Sequence, residues 1–476
     1  MDINRRDALK SGLSALGFLA LPGGLFAAPA EWKPTKKPNL VFGILSDTHL
    51  MVGRDGKSLY KTMTFNYVRN AFKLFKSRNI DAFVHLGDAS HRGAVREWEF
   101  HKELFEQVFG KRGGPAKIIV VGNHELFGDS GHCKEVWKNQ KDWEQNAICA
   151  DLPRHYERTW GEPYAETMHK EIKGYHFFIR HWNDKELKDF AGEQRFADYI
   201  LSKSEECSLG DKKPFFVMSH RRHHFKFCKK IGGFPCPIAF MGHWHHSNAD
   251  WKSIYCDTNT FGGFFPHMEV GACRFDGHNG MFPPGEIKIP EDSSSFKGDI
   301  QPSRQAMIVN VYDDMVVFER HEVGEGGKLG PDWVMPLGWE TAKHPFSTEE
   351  LKKVEGTPEF GKGAKLSVNK SLHGLTVAIP FADGNPDVRP YAYNVVIVGD
   401  DPRAKFYKSE YFSGINCGIG HEPKKGVTTV EVEKGQFPAG KNLTIAVRPV
   451  TSLGTKGGAI AIAYSTATGR ATPVKA

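Results

Sequence analysis

The chain is expected to fold as an α/β domain followed by an all-β sandwich unit, and three observations carry that expectation. In the first half, apolar runs of strand length alternate with stretches whose apolar residues recur at helical spacing. From about Lys365 to Tyr464, short alternating strands are separated by Gly, Pro and Asp turns. The length of 476 residues exceeds what one core organises, since domains of roughly 100–250 residues are usual, so two units are expected. With 40% hydrophobic, 25% charged and 12% aromatic residues, the composition is that of a globular protein able to bury large cores, which excludes a disordered chain.

The elements follow in order. Asn39 to Ser46 is an apolar run suited to a buried strand; Phe65, Val68, Ala71, Phe72 and Phe75 then mark a helix face, and Asp81 to Leu86 is a second strand. Trp98, Phe100, Leu104, Phe105 and Val108 mark another helix before Lys117 to Val121, a third buried strand ending at Gly122. This alternation predicts short parallel strands. Glu125 to Glu171 is polar and aromatic-rich without a repeating strand signal, and is expected to be an insertion that shapes a pocket. Tyr175 to Arg180, Pro214 to Ser219, Pro237 to Met241 and Ser253 to Asp257 are further strands, with a polar-faced helix from Lys185 to Glu206. Met307 to Tyr312 and Met315 to Glu322, joined at Asp313-Asp314, form a hairpin that closes a domain expected over residues 39–345. The second unit, expected over residues 360–476, carries strands at Gly374 to Pro380, Asn394 to Val398, Thr428 to Val432, Leu443 to Val447 and Ala459 to Ala463. Its stretch from Val447 to Ile462 resembles the end of a fibronectin type III-like domain.

The N-terminus has the character of an address. Asn4 to Lys10, NRRDALK, precedes an apolar stretch from Leu13 to about Ala28 and a small-residue end, Ala28-Pro29-Ala30. This resembles a twin-arginine export signal with Arg5 and Arg6 as the pair, although Ala8 stands where a bulkier apolar residue is usual. Cleavage after residue 30 and a periplasmic or extracellular mature chain are expected, with retention as an uncleaved anchor as the alternative. A spanning helix needs about 20 unbroken apolar residues, and Pro22, Gly23 and Gly24 interrupt this one; no other stretch has the length.

Removal of residues 1–30 takes away three basic and two acidic groups, lowering the formal charge from +7 to +6. The positive charge is scattered and not gathered into runs, which argues against dedicated nucleic-acid binding and fits a small anionic substrate. The eight cysteines form no CxxC pair and no zinc-ribbon spacing. Cys228 and Cys236 either close a short disulfide loop or remain buried thiols.

The strands of the first domain end in residues that carry chemistry, and ligands of open α/β sheets collect at the carboxyl ends of strands. The endings, in order, are Asp47-Thr48-His49, Gly87-Asp88, Gly122-Asn123-His124-Glu125, Ser219-His220 and Gly242-His243-Trp244-His245. One Asp at a strand end is ordinarily a turn or cap residue. Five such endings in succession point to one constellation. Two divalent ions roughly 3.5–4 Å apart need a bridge, and a carboxylate can give one oxygen to each, a part suited to Asp88 beside the small Gly87. Imidazole, carboxylate and amide donors suit Fe, Mn or Zn. Alternation along an extended segment allows His243 and His245 to be divided between two adjacent ions. No GxSxG motif or Walker A loop offers different chemistry.

The pattern DTH, GD, GNHE, SH and GHWH, in this order over about residues 39 to 250, is similar to that of the calcineurin-like metallophosphoesterase superfamily. The resemblance implies a four-layer fold in which helices flank a β-sandwich core, and two metal ions. It implies that Asp47, His49 and His245 hold the first ion, that Asn123, His220 and His243 hold the second, and that Asp88 bridges them. His124 would face the phosphate without ligating metal, stabilising charge or protonating the leaving oxygen. The implied reaction is hydrolysis of a small phosphomonoester or phosphodiester by a hydroxide lying between the ions. Purple acid phosphatases carry a Tyr three residues after the bridging Asp; here His91 stands there, so a tyrosinate-bound ferric ion is not expected. His91, Arg92, Arg221, His223 and His224 adjoin the ligand positions and are candidates for contacting substrate oxygens, His91 and Arg221 first among them. The same residues can instead support the ligands from behind. Phe261 to Phe265 either lines the pocket or turns into the core. A competing class of function is a surface binding or adhesion protein that keeps the fold and uses the β-sandwich as its recognition module.

Overall fold

A computed structural model of the chain describes residues 36–51, 63–129, 140–182, 191–245, 248, 251–256, 264–273, 304–324, 326–338, 346–383, 390–401, 405–411, 427–435, 437, 441–451 and 453–474. The export signal and Phe261 to Gly263 lie outside the described residues. The first unit runs β1 (Leu40–Leu45), α1 (Met63–Ser77), β2 (Ala82–His85), α2 (Val95–Phe109), β3 (Ala116–Ile119), α3 (Gln140–Asn146), α4 (Leu152–Trp160), β4 (Thr167–Ile172), β5 (Tyr175–Arg180), α5 (Ala191–Ser202), β6 (Phe215–Ser219), α6 (Phe225–Ile231) and β7 (Pro237–Met241). It continues with β8 (Ile254–Tyr255), β9 (His267–Glu269), β10 (Gln305–Val311), β11 (Met315–Glu322), β12 (Gly327–Lys328), β13 (Trp333–Pro336) and α7 (Thr348–Val354).

These strands make two sheets. One has the order β12-β11-β10-β1-β2-β3 with β13 against β11; the other has the order β4-β5-β6-β7-β9-β8. β1, β2 and β3 are parallel neighbours, as are β5, β6, β7 and β9, while β10 joins β1 antiparallel. Both sheets are therefore mixed, and the parallel blocks carry the chemistry-bearing ends.

Four layers result. Leu40, Phe42, Ile44 and Val84 of the first sheet pack against Phe177, Ile179, Phe216 and Phe240 of the second in one core. Phe42 sits at its centre, meeting the rings of Phe177, Phe216 and Phe240 edge-on at 5.4, 5.0 and 5.8 Å between centroids. The opposite pleat of the first sheet, including Leu45 and Phe83, receives Val68, Phe72 and Phe75 of α1 and Trp98 and Leu104 of α2. Gly43 has no side chain because a Cβ there would lie 2.6 Å from the Phe75 ring. Phe178, Phe215 and Val217 on the outer pleat of the second sheet receive α5 and α6. The alternation of core and helix-facing residues follows directly from the period of two along a strand.

Glu125 to Glu171, read as an insertion without a repeating strand signal, carries elements of its own among its described residues. It contains a 3₁₀ turn (His124–Asp129), α3, α4 and the start of β4. Asp151 accepts a hydrogen bond from the Arg154 amide at the head of α4, and Gly161 at φ 81° ends it, so the cap signals were present in the sequence. β4 is a half-buried edge strand whose lysine and glutamate blur the alternation. Cys228 and Cys236 are buried thiols and not a disulfide. Phe264 and Phe265 pack with the α5 and α6 layer, which is the core-turn alternative for that stretch.

The C-terminal unit comprises β14 (Glu359–Phe360), β15 (Ser367–Lys370), β16 (Gly374–Pro380), β17 (Ala382–Asp383), β18 (Pro390–Val398), β19 (Lys405–Tyr411), β20 (Val427–Glu433), β21 (Asn442–Thr451), β22 (Ile460–Ser465) and β23 (Ala471–Val474). A sheet of order β15-β16-β20 shares one apolar core with a sheet of order β19-β18-β21-β22-β23. Pro473 is tolerated in β23 because that strand is an edge. Between the units, Phe346 and Leu351 insert into the core of the first. The Thr451 hydroxyl donates to the Glu355 carboxylate where the units meet. Among the described residues, no helix is long and apolar enough to cross a membrane.

Candidate metal centre

The carboxyl ends of β1, β2, β3, β6 and β7 meet at one edge of the two sheets. Each strand must turn sharply there, and the ligand candidates themselves take the left-handed conformation: Asp47 at φ 50°, His49 at 44°, Asp88 at 54°, His243 at 75° and His245 at 54°. These are five of the nine non-glycine residues at positive φ among the described residues, so the strain is concentrated at this edge. Such conformations cost on the order of 1–3 kcal/mol each and persist where surrounding structure imposes them. The imposing contacts are visible. Asp47 N donates to Gly87 O at 3.1 Å, His49 N to Asp88 O at 2.9 Å, Gly242 N to His220 O at 3.2 Å and Trp182 N to Val121 O at 2.9 Å. The last of these joins the two sheets.

Glycines open the space that the side chains fill. A Cβ on Gly122 would lie 2.2 Å from Asp88 Oδ1, one on Gly87 2.5 Å from His220 Nδ1, and one on Gly242 2.6 Å from Asp47 Oδ2. The motif glycines are thus required by close approach of ligand side chains to backbone.

Two groups of ligand atoms converge, each within 4.8 Å: Asp47, His49 and His245 in one, Asp88, His220 and His243 in the other. In the first, His245 Nε2 lies 3.0 Å from Asp47 Oδ1 and 3.3 Å from His49 Nε2. In the second, His220 Nε2 lies 3.2 Å from Asp88 Oδ2, and Asn123 Oδ1 lies 3.0 Å from His220 Nε2 and 2.9 Å from His243 Nδ1. Asp88 Oδ2 also lies 3.9 Å from His49 Nε2, so this carboxylate stands between the groups. His220 Nδ1 donates to Leu86 O at 2.7 Å, which fixes its tautomer and turns Nε2 inward.

The electrostatics follow from burying two carboxylates among imidazoles. Burial pushes the Asp47 and Asp88 carboxyls up, but the neighbouring imidazoles, His245 for Asp47 and His220 for Asp88, outweigh it and hold both below the usual range. Burial opposes a charged His220, yet Asp88 and Asp47 raise it to about 9. Burial and the nearby His220 charge lower His243 to about 4. The buried carboxylates call for positive charge, and a metal cation would supply it with the imidazoles neutral. The donor set, two carboxylates, four imidazoles and an amide without thiolate, fits borderline-to-hard ions.

His124 lies beside this set. Its amide donates to Asp88 Oδ1 at 2.9 Å, its Nδ1 donates to His91 O at 2.9 Å, and its Nε2 is 4.0 Å from Asp88 Oδ2. The His91 ring stacks on His124 at 5.3 Å, and His49, His91 and His124 form a third convergent group. Arg221 stands at the rim with its guanidinium 5.8 Å from the Trp182 ring centre. Arg92 donates its amide to Glu97 at 2.9 Å. His223 and His224 are placed elsewhere: His223 is buried, bonded to Ser219 Oγ at 3.0 Å and stacked on Phe227 at 4.1 Å, and His224 caps α6.

Sequence reasoning missed two supporting residues. The Glu125 carboxylate accepts from Gly122 N at 2.6 Å, Ser90 N at 2.8 Å and Asp88 N at 2.9 Å, knitting the loops after β2 and β3 together. Burial and the Asp88 charge raise it to about 7. It ends the GNHE motif, so its position was visible but its partners were not. Trp182 packs on His243 and His220 at 5.0 and 5.7 Å; it follows the parallel strand β5, whose end carries no motif.

Residues 40–247 match the family described as calcineurin-like phosphoesterase. No curated protein matches the chain. Among solved structures, a dimetal phosphatase from Danio rerio is 12% identical, covering 63% of this chain and 99% of its own at a TM-score of 0.35. A purple acid phosphatase from yellow lupin (Lupinus luteus) seeds is 13% identical, covering 65% and 57% at a TM-score of 0.40. GAP50, an anchor in the inner membrane complex of Plasmodium, is 12% identical, covering 66% and 93% at a TM-score of 0.35. The family match places a calcineurin-like phosphoesterase domain at residues 40–247 of this chain.

Proposed function

We propose that the chain is an exported hydrolase of small phosphomonoesters or phosphodiesters that works with two metal ions. The observation that carries this reading is the position of Asp88, whose Oδ2 lies 3.2 Å from His220 Nε2 and 3.9 Å from His49 Nε2, between two separate groups of donors. Asp47, His49 and His245 would hold one ion, Asn123, His220 and His243 the other, and Asp88 would serve both. When bound, the ions polarise the phosphate and lower the pKa of water from about 15.7 towards 7, which provides a nucleophile at neutral pH.

The chain's own groups position and move protons. His124 Nδ1–H is committed to the His91 carbonyl, so in the imidazolium form Nε2–H is the group that would donate its proton to a departing oxygen, leaving the neutral Nδ1–H tautomer. His91, stacked on His124, fixes that ring and offers a second imidazole to substrate oxygens. Arg221, held over Trp182, reaches across the rim towards an anionic ester. The test is hydrolysis of an aryl phosphate and its diester by metal-loaded protein: metal-dependent turnover supports the reading, and inactivity across monoesters, diesters and nucleotides contradicts it. The export half rests on NRRDALK and the apolar stretch behind it. Changing Arg5 and Arg6 together to Lys should leave the protein in the cytoplasmic fraction; unaltered export would count against the twin-arginine route.

A further inference from the structure

The β4–β5 hairpin carries a second, separate convergence of ligand atoms. Lys173 at φ 54° and Gly174 at φ 75° both take the left-handed conformation, as a two-residue type I′ turn requires. The pairing sets His169 opposite Phe178 and Glu171 opposite His176, so the two histidines are diagonal neighbours on one face. That face is the outer one: Phe178 packs with α5 and α6, whereas Phe177 and Ile179 point into the inter-sheet core. His169 Nε2 lies 3.0 Å from His176 Nδ1. Cys207, in the turns that follow α5, brings its Sγ to 3.7 Å from His169 Nε2, and the three ligand atoms lie within 4.8 Å of one another. The thiol is buried and both imidazoles are half-buried.

A tetrahedral zinc ion with bonds of about 2.0–2.1 Å to nitrogen and about 2.3 Å to sulfur separates two nitrogens by about 3.4 Å and nitrogen from sulfur by about 3.6 Å. The observed 3.0 and 3.7 Å are a few tenths of an ångström from those values. We propose that His169, His176 and Cys207 bind one zinc-class ion that clasps the edge hairpin of the second sheet to the segment after α5. Two imidazoles and a thiolate are a softer set than the strand-end donors, which include two carboxylates and an amide and no thiolate, and they discriminate against magnesium and calcium. Binding breaks the S–H bond of Cys207, forms a metal–sulfur bond and releases the proton to solvent, while both imidazoles bind in their neutral form. The fourth tetrahedral position is left to water. His176 lies near the start of β5 and His169 beside it on β4, whereas Trp182 and the strand-end cluster lie beyond the carboxyl end of β5, so this ion takes no part in phosphoester chemistry.

The two centres can be read separately because only this one contains a thiolate. Full-length protein titrated with cobalt(II) should develop a thiolate-to-cobalt charge-transfer absorption whose final intensity corresponds to one thiolate-bound ion per chain. Cys207→Ser should abolish that band, His176→Gln should weaken cobalt binding at least tenfold, and Asp88→Asn should leave the band in place. Zinc analysis should find one ion fewer in Cys207→Ser than in the parent, with phosphoester hydrolysis retained. Absence of the band in the parent protein, or a band of unchanged strength in Cys207→Ser, would overturn the assignment. Should Cys207→Ser not fold, the parent titration and His176→Gln decide the matter alone.

Discussion

The strand ends of the first unit and the interior of the C-terminal sandwich are both buried, yet they are built by opposite rules. In the sandwich, β16 and β21 alternate buried and less buried residues along their lengths, and the buried positions are Leu375, Val377, Ile379, Leu443, Ile445 and Val447. Tyr393, at its centre, is buried with its polar end satisfied: the hydroxyl oxygen accepts a hydrogen bond from the Ala382 amide at 2.7 Å. At the strand ends, the buried residues are Asp47, His49, Asp88, Asn123, His220 and His245, and several hold left-handed backbone that glycine would take more cheaply. The difference shows where stability was given up. Apolar packing is self-sufficient, whereas a cluster of buried carboxylates and imidazoles is held in place by its surroundings and, on the proposed function, would be completed by cations.

The comparison is broken most severely at Asp88. Asp88→Asn should lower hydrolysis by at least about a thousandfold, a loss comparable with removing a principal electrostatic stabiliser, and should lower metal content at the strand ends while circular dichroism stays unchanged. A variant that keeps both ions and its turnover would mean that Asp88 bridges nothing. The matching change in the sandwich is Ile397→Ala, which should cost about 2–5 kcal/mol of stability in denaturant melts and leave turnover per folded molecule untouched.

Glycine substitutions sharpen the contrast further. A Cβ at Gly122 meets Asp88 Oδ1, whereas one at Gly458 meets nothing within 4 Å. Gly122→Ala should therefore weaken metal affinity by about 10–100-fold, as loss of a ligand's support does, and Gly458→Ala should be silent in metal titration. Equal effects would show that the close approach at Gly122 is immaterial.

A third region separates charge from site. On β11, Glu319 is paired with His321 at 3.1 Å and Arg78 at 2.5 Å, away from the strand ends. Burial would lift its carboxyl, but the hydrogen bond from His321 and the charges of Arg78 and Lys328 hold it at about 2. A carboxyl whose folded pKa is depressed stabilises the fold above its ordinary value, and that contribution disappears as pH falls through the folded value. After allowance for the half-exposed Arg78, on the order of 1–2 kcal/mol should be lost between about pH 4.5 and 2. Thermal melts of Glu319→Gln across that range should show a flatter slope than the parent, and parallel slopes would remove Glu319 from the account.

Much of this contrast was legible in the sequence. β1, β2, β3, β6 and β7 are short, mostly apolar runs followed within three residues by Gly, Asp or His, so both strand and ending could be read locally. The structure brings the seven side chains marked by those endings to one edge, with His124 and His91 beside them. What could not be read were partnerships across the chain. Glu125 looks like any acidic residue until Gly122, Ser90 and Asp88 present their amides to it. Trp182 has no motif, and β4 is an edge strand with lysine and glutamate on it. His169, His176 and Cys207 have no recognisable spacing because a hairpin turn and a helix end bring them together. His223 and His224 adjoin His220 in sequence, but α6 begins there and turns both away.

The proposed function requires Asp88 to stand between two cations. A crystal structure of the manganese-loaded protein, with anomalous scattering recorded at the metal edge, tests it most directly. Two peaks roughly 3.5–4 Å apart should flank the Asp88 carboxylate, one beside Asp47, His49 and His245 and the other beside Asn123, His220 and His243. A single peak, or none with Asp88 bonded only to its protein neighbours, would contradict the account.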